Sequence, residues 1–140
     1  MTDAGLAAIK DLRNLTFLNL DTAQIGDDGL ANLQNLAKLK TLCLGETLIT
    51  DAGMKYLAGF VNLEDLDLWD NNITDAGLVH LRGLTKLRRL DLSLTKVTDV
   101  GVKQLLALPN LVRLNVSKTG VTAAAAEALQ KARPELTVSR

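Results

Sequence analysis

Leucines 15, 39, 63, 87 and 111 stand 24 residues apart, and each opens the same phrase. The third copy runs Leu63, Leu66, Leu68, Asn71, Ile73, Thr74, Asp75, Gly77, Leu78, Leu81, Leu84. The apolar frame repeats down to the isoleucine or valine at 25, 49, 73, 97 and 121. A fixed period of this length forces a stacked architecture, because one short unit cannot bury its own apolar face and neighbours must share a core. The chain begins inside a copy, at Thr2-Asp3-Ala4-Gly5-Leu6, and ends on a partial one, Leu136-Thr137-Val138, read as one residue out of phase. One domain is therefore expected over residues 1–140: a half repeat at 1–14, repeats at 15–38, 39–62, 63–86, 87–110 and 111–135, and a terminal stub at 136–140.

Each repeat changes its internal period. Leu66 and Leu68 alternate with polar residues, which predicts a strand, whereas Leu78, Leu81 and Leu84 are spaced by three, which predicts a short helix. Thr74 precedes that helix and can cap its free N–H groups, and Asp75 suits the positive end of its dipole. The recurring Asp3, Asp27, Asp51, Asp75 and Asp99 are read in the same way, as helix-start charge. Asn35, Gly59 and Gly83 fall where the helices should end, as left-handed C-cap residues would. Pro109 and Pro134 follow later helices, where the chain cannot stay helical. Identical spacing stacks the strands in parallel. Strands pack ~4.8 Å apart and helices need ~10 Å, so the stack curves with its strands inside.

Hydrophobic residues make up 47% of the chain and aromatics only 3%, so the core is aliphatic, mostly leucine. Sixteen basic residues balance sixteen acidic ones, which leaves no overall field for nucleic acid or an anionic membrane. No apolar run approaches the length of a membrane span. The first residues lack the basic start and apolar stretch of a secretory signal. The single cysteine forms no internal disulfide, and a reducing cytoplasmic setting is favoured for the chain as given.

Alternation assigns the side chains that leave the concave sheet face. They are Phe17, Asn19 and Asp21; Thr41, Cys43 and Gly45; Asp65, Asp67 and Trp69; Arg89, Asp91 and Ser93; Arg113, Asn115 and Ser117. Neighbours in a column lie ~5 Å apart, so Asp67 and Asp91 are like charges side by side. Arg89 and Arg113, one column over, are expected to compensate them. Trp69, the only tryptophan, exits beside this group, with Glu46 and Asp70 continuing an acidic rim. A lone aromatic among fixed charges has the composition of a binding hot spot, so Trp69, Asp65, Asp67, Asp91, Arg89 and Arg113 are the candidate partner-binding residues.

Catalytic groups do not assemble. His80, the only histidine, falls in a helix column with Asn32, Tyr56 and Gln104, away from the concave face. Cys43 has no histidine column beside it, so it reads as an exposed thiol open to labelling. Asp65, Asp67 and Asp91 offer oxygen ligands for a hard cation, but the arginines oppose one and no wrapping loop adds oxygens. No metal or cofactor is therefore expected. Gly5, Gly29, Gly53, Gly77 and Gly101 recur as packing positions, not as a phosphate loop.

The phrase LxxLxLxxTxITDAGL resembles the leucine-rich repeat family over essentially the whole chain. The TDAGL segment is similar to the short-helix bacterial subclass, and to the cysteine-containing repeats found beside F-box domains. The usual asparagine of the strand-exit turn survives only as Asn71; the other copies carry Ala23, Thr47, Thr95 and Thr119. The resemblance implies an α/β solenoid in a right-handed arc, with parallel strands on the concave face and short helices on the convex one. It also implies recognition of a protein partner on the sheet, without catalysis.

The ends differ. Near the C-terminus, alanines replace the frame's Asp, Gly and Leu at Ala123, Ala125 and Ala126, and Glu127, Lys131 and Arg133 are added, as in a natural cap. The N-terminus shows no such cap, so the chain is expected to be a monomer or a weak dimer through that end. The leading expectation is a non-enzymatic protein-binding module. The alternatives are a structural or assembly repeat region of a larger protein, and small-ligand or cation binding at the acidic patch.

Overall fold

A computed structural model describes residues 1–140. Six short strands form one parallel sheet in chain order: β1 (Phe17–Asn19), β2 (Thr41–Cys43), β3 (Asp65–Asp67), β4 (Arg89–Asp91), β5 (Arg113–Asn115) and β6 (Thr137–Ser139). Their register repeats the sequence period, with Leu18, Leu42, Leu66, Leu90, Leu114 and Val138 side by side. The C-terminal stub is thus corrected to a full strand. Thr137 pairs with Arg113 and Ser139 with Asn115, in phase with the period, and only its lead-in Leu136 is displaced.

Between the strands lie α1 (Asp3–Leu6), α2 (Asp27–Ala31), α3 (Asp51–Met54), α4 (Asp99–Gln104) and α5 (Ala123–Ala132), with 3-10 turns at Lys55–Gly59, Gly77–Leu81 and Leu105–Ala107. The third repeat has only its 3-10 turn at Gly77–Leu81. Leucines spaced by three suit it, because that is the residue count of one 3-10 turn. A single apolar core runs from Leu6 to Leu136 between sheet and helices.

The threonine–aspartate pairs do more than start helices. From Asp27 onward each carboxylate reaches into the next repeat and accepts hydrogen bonds from the N–H and hydroxyl of a threonine, whereas Asp3 meets only the Gly26 N–H. Asp27 holds Thr50 (2.8 and 2.7 Å), Asp51 holds Thr74, Asp75 holds Thr98 and Asp99 holds Thr122. Each threonine oxygen in turn accepts from a backbone N–H of its own helix start. The glycines make this approach possible. A methyl group at Gly29, Gly53, Gly77 or Gly101 would overlap the carboxylate of Asp3, Asp27, Asp51 or Asp75.

Left-handed backbone is found elsewhere than expected. Asn35, Gly59 and Gly83 are not left-handed; the positive-φ residues are Thr22, Glu46, Asp70, Leu94 and Lys118, one period apart, just past each strand. The helices end in tight turns whose i+3 hydrogen bonds use up the last carbonyls, so no left-handed cap is needed. Beside that exit turn, Asn71 is buried. It donates to the carbonyls of Leu44, Leu68 and Trp69 and accepts from Thr47 Oγ1 (2.7 Å) and the Ile49 N–H.

The two ends are finished differently. At the C-terminus α5 covers the core, and Arg133 donates to the carbonyls of Leu108, Pro109 and Leu111. At the N-terminus Leu15 and Leu18 are only half-buried, where Leu39 and Leu42 are inaccessible, and Leu12 and Phe17 are exposed.

Candidate functional site

The concave side chains stand in columns because each strand repeats its neighbour's register. They line an open groove of about 830 Å³ that includes Asp65, Asp67, Arg89, Asp91 and Arg113. Trp69 is not among its lining residues. Its indole lies flat across Gly45 on the neighbouring repeat, where an added methyl group would overlap the ring. Trp69 is therefore half-buried against the neighbouring repeat, outside the groove, where the frame provides no side chain.

The middle column has a structural duty that the sequence reading missed. Asn19, Asp67, Asp91 and Asn115 each accept a hydrogen bond on Oδ1 from the N–H two residues on, closing the exit turn. Ser93 Oγ and Ser117 Oγ add a second bond to the same oxygen. Cys43 cannot do this, and Asp21 Oδ1 takes over by accepting the Gly45 N–H at 2.7 Å. The signal was present in the sequence, since Asx residues two before a turn position are known turn formers.

The turn requires an oxygen, not a charge, and asparagine supplies it at two of these four positions. The charges of Asp67 and Asp91 are surplus to it. At Asp67 the charge is unfavourable. Burial first, then the carboxylates of Asp91 and Asp21, push its pKa up to about 6 against the opposing pull of the Trp69 N–H. Burial and the nearby Asp21, Asp67 and Asp65 likewise push the Cys43 thiol up, which makes it a weak nucleophile near neutral pH.

The expected compensation by the arginines is corrected. Arg89 turns along its own column and forms a two-point pair with Asp65, through Nε and through Nη2 at 2.7 Å. Asp91 is instead met by Asn115 Nδ2 at 2.7 Å. Arg113 forms no ion pair. Guanidinium reach explains the difference: Asp65 sits directly opposite Arg89 in register, and the diagonal carboxylates are farther. The six candidate residues thus divide into a neutralised pair (Asp65, Arg89), two uncompensated carboxylates (Asp67, Asp91), one free cation (Arg113) and an aromatic outside the groove (Trp69).

No three histidine, cysteine, aspartate or glutamate side chains come together in a way that would hold a metal ion. His80 lies on the convex Gly77–Leu81 turn, far around the repeat from Cys43 on β2. No helix is long and apolar enough to cross a membrane.

Two stretches match families described as leucine-rich repeat, at residues 61–121 and 11–33. No curated protein matches the chain. Among solved structures, an internalin C2 from Listeria monocytogenes superposes with TM-score 0.76 at 29% identity, over 95% of this chain and 54% of that one. An internalin (inlF) of the same organism gives 0.56 at 21%, covering 95% and 49%. A leucine-rich-repeat protein of Leptospira interrogans gives 0.66 at 24%, covering 94% and 38%. The chain spans about half the length of the internalins it matches.

Proposed function

The chain is a leucine-rich-repeat solenoid, and we propose that it is a non-enzymatic protein-binding module of the TDAGL-type bacterial subclass that engages its partner on the concave sheet. The face comprises Trp69, Asp65, Asp67, Asp91, Arg89 and Arg113. The observation that carries this reading is the surplus charge at Asp67 and Asp91. The exit turn would close equally well on asparagine, as it does at Asn19 and Asn115, and charge at Asp67 opposes folding. Charge that the scaffold neither needs nor favours is charge available to a partner.

Affinity capture from the source cell tests it. Asp67→Arg should remove a partner held by the wild type, with an unchanged circular dichroism spectrum. Lys10→Glu, an exposed change away from the sheet, should keep it. Equal loss by both, or full retention by Asp67→Arg, would sink the concave site.

A second reading concerns assembly. Leu12, Phe17 and the half-buried Leu15 and Leu18 leave an apolar end and an open β1 edge, which suit weak association through that end. Sedimentation velocity should then show concentration-dependent dimer that Leu12→Glu removes. A strictly monomeric wild type at ~0.1 mM would exclude it.

A further inference from the structure

The groove's charges are sorted, and the sorting specifies a ligand. We propose that the groove receives an extended polypeptide segment that presents a lysine or arginine to Asp67 and Asp91 and, two residues along on the same face, a carboxylate to Arg113. This inference rests on the concave reading above and deepens it.

The argument is one of charge complementarity. Arg89 is already matched to Asp65, so that pair offers little to a newcomer. Asp91 has no cationic partner: its oxygens accept only from neutral donors on Ser93 and Asn115. Asp67 accepts only the neutral Trp69 N–H. The charged and titratable groups that face Asp67 are Asp65 on its own strand, Cys43 and Asp21 on one side, and Asp91 and Arg89 on the other. Three of these are carboxylates and the only cation is engaged, so an incoming ammonium or guanidinium meets attraction from Asp67 and Asp91 together.

Arg113 stands on β5, one strand over from Asp91 and two residues earlier along the strand direction. Strand and residue spacings put it ~8 Å from Asp91. Residues i and i+2 of an extended chain share one face and lie ~6.6 Å apart, so flexible side chains span the remainder. The groove is open and runs across β2 to β6, which admits a chain.

The test is an NMR titration of the ¹⁵N-labelled chain with the synthetic peptide Thr-Val-Lys-Val-Glu-Val-Thr. Its controls carry Lys at both charged positions, Glu at both, or Gln at both. The Lys/Glu peptide should bind about 5-fold or more tightly than the Gln/Gln and Glu/Glu peptides, with shifts centred on β3 to β5 and the Trp69 indole N–H. Asp67→Asn combined with Asp91→Asn should erase the preference for lysine. Arg113→Gln should erase the preference for Lys/Glu over Lys/Lys. Affinity should also fall from pH 7.5 to pH 5 as Asp67 takes up a proton, and Asp67→Asn should flatten that fall. Equal binding of all four peptides to the concave amides would overturn the charge assignment and leave the concave reading standing. No shift from any peptide at ~2 mM would overturn the inference as well. In that case, loss of a captured partner by Asp67→Arg would show that the concave face binds something of different chemistry.

Discussion

Along the convex seam, from Asp27 onward, every repeat answers its neighbour with the same groups, a carboxylate from one side and a threonine from the other. Across the concave face the columns change chemistry from strand to strand, from Asn19 to Cys43 to Asp67 to Asp91 to Asn115. Both regions are periodic in geometry. Only the seam is periodic in chemistry, because there the repeats recognise each other. On the sheet face the scaffold asks for one oxygen per turn and leaves the rest of the side chain unconstrained. Repetition therefore marks what the fold uses, and departures from it mark what the fold leaves free.

The strongest way to break this comparison is at the seam. Gly53→Val should drive a side chain into Asp27, cost ~3 kcal/mol and lower the melting temperature by roughly 10 °C. A near-wild-type melt would mean that the close approach does not hold the repeats together. Asn71→Leu comes next. It leaves the buried Leu44 carbonyl and Ile49 N–H with fewer partners and should cost ~2 kcal/mol in urea unfolding. Asp75→Ala strips the acceptor from the Thr98 N–H and hydroxyl, and a loss of ~1–2 kcal/mol is expected.

On the concave face the sign should reverse. Between the ordinary aspartate pKa of 3.8 and about 6, folded Asp67 holds a proton that the unfolded chain has released. Its contribution to stability therefore falls as pH rises through that window, and the full penalty is present at pH 7. Asp67→Asn should stabilise the protein by ~1 kcal/mol at pH 7, the effect being limited by solvent screening of a half-buried group, and should do little at pH 3.5. Destabilisation at pH 7 would show that the carboxylate is integral to the scaffold. Smallest of all, Arg89→Gln removes an ion pair whose guanidinium is exposed and should leave the melting temperature unchanged within error, because solvent screens the pair.

Much of this was legible in the chain. The period located β1 to β5 in the correct register but put the sixth strand out of phase, and alternation placed the polar side chains within those strands on the groove, though not Trp69. The frame's threonine was correctly read as a helix cap. The reading failed wherever a side chain chose among neighbours about 24 residues away. Period alone could not say that Asp27 reaches Thr50 instead of staying at its own helix, that Arg89 turns to Asp65 and not to Asp67, or that Trp69 lies across Gly45. Glycine divides: the frame glycines are the packing positions expected of them, but Gly59 and Gly83 are not the left-handed caps. The left-handed positions carry Thr22, Glu46, Asp70, Leu94 and Lys118, while the glycines of the frame serve close approach at ordinary φ. Composition gives no hint of that, because a strained turn held by its neighbours tolerates side chains that an isolated turn would reject.

Asn71 gives this stack an address. The seam between any two repeats is generic, but Asn71 and Thr47 make one joint that no other pair reproduces. Excision of residues 87–110 would close the ranks with every column still aligned, giving a shorter arc of the same kind. Excision of 63–86 would remove the key and leave Thr47 facing a repeat without its lock. Repeat number is thus negotiable along most of the molecule and fixed at one place, which is also where the groove's carboxylates begin. The ordering of the second and third units, and the face they carry, is tied to this one joint.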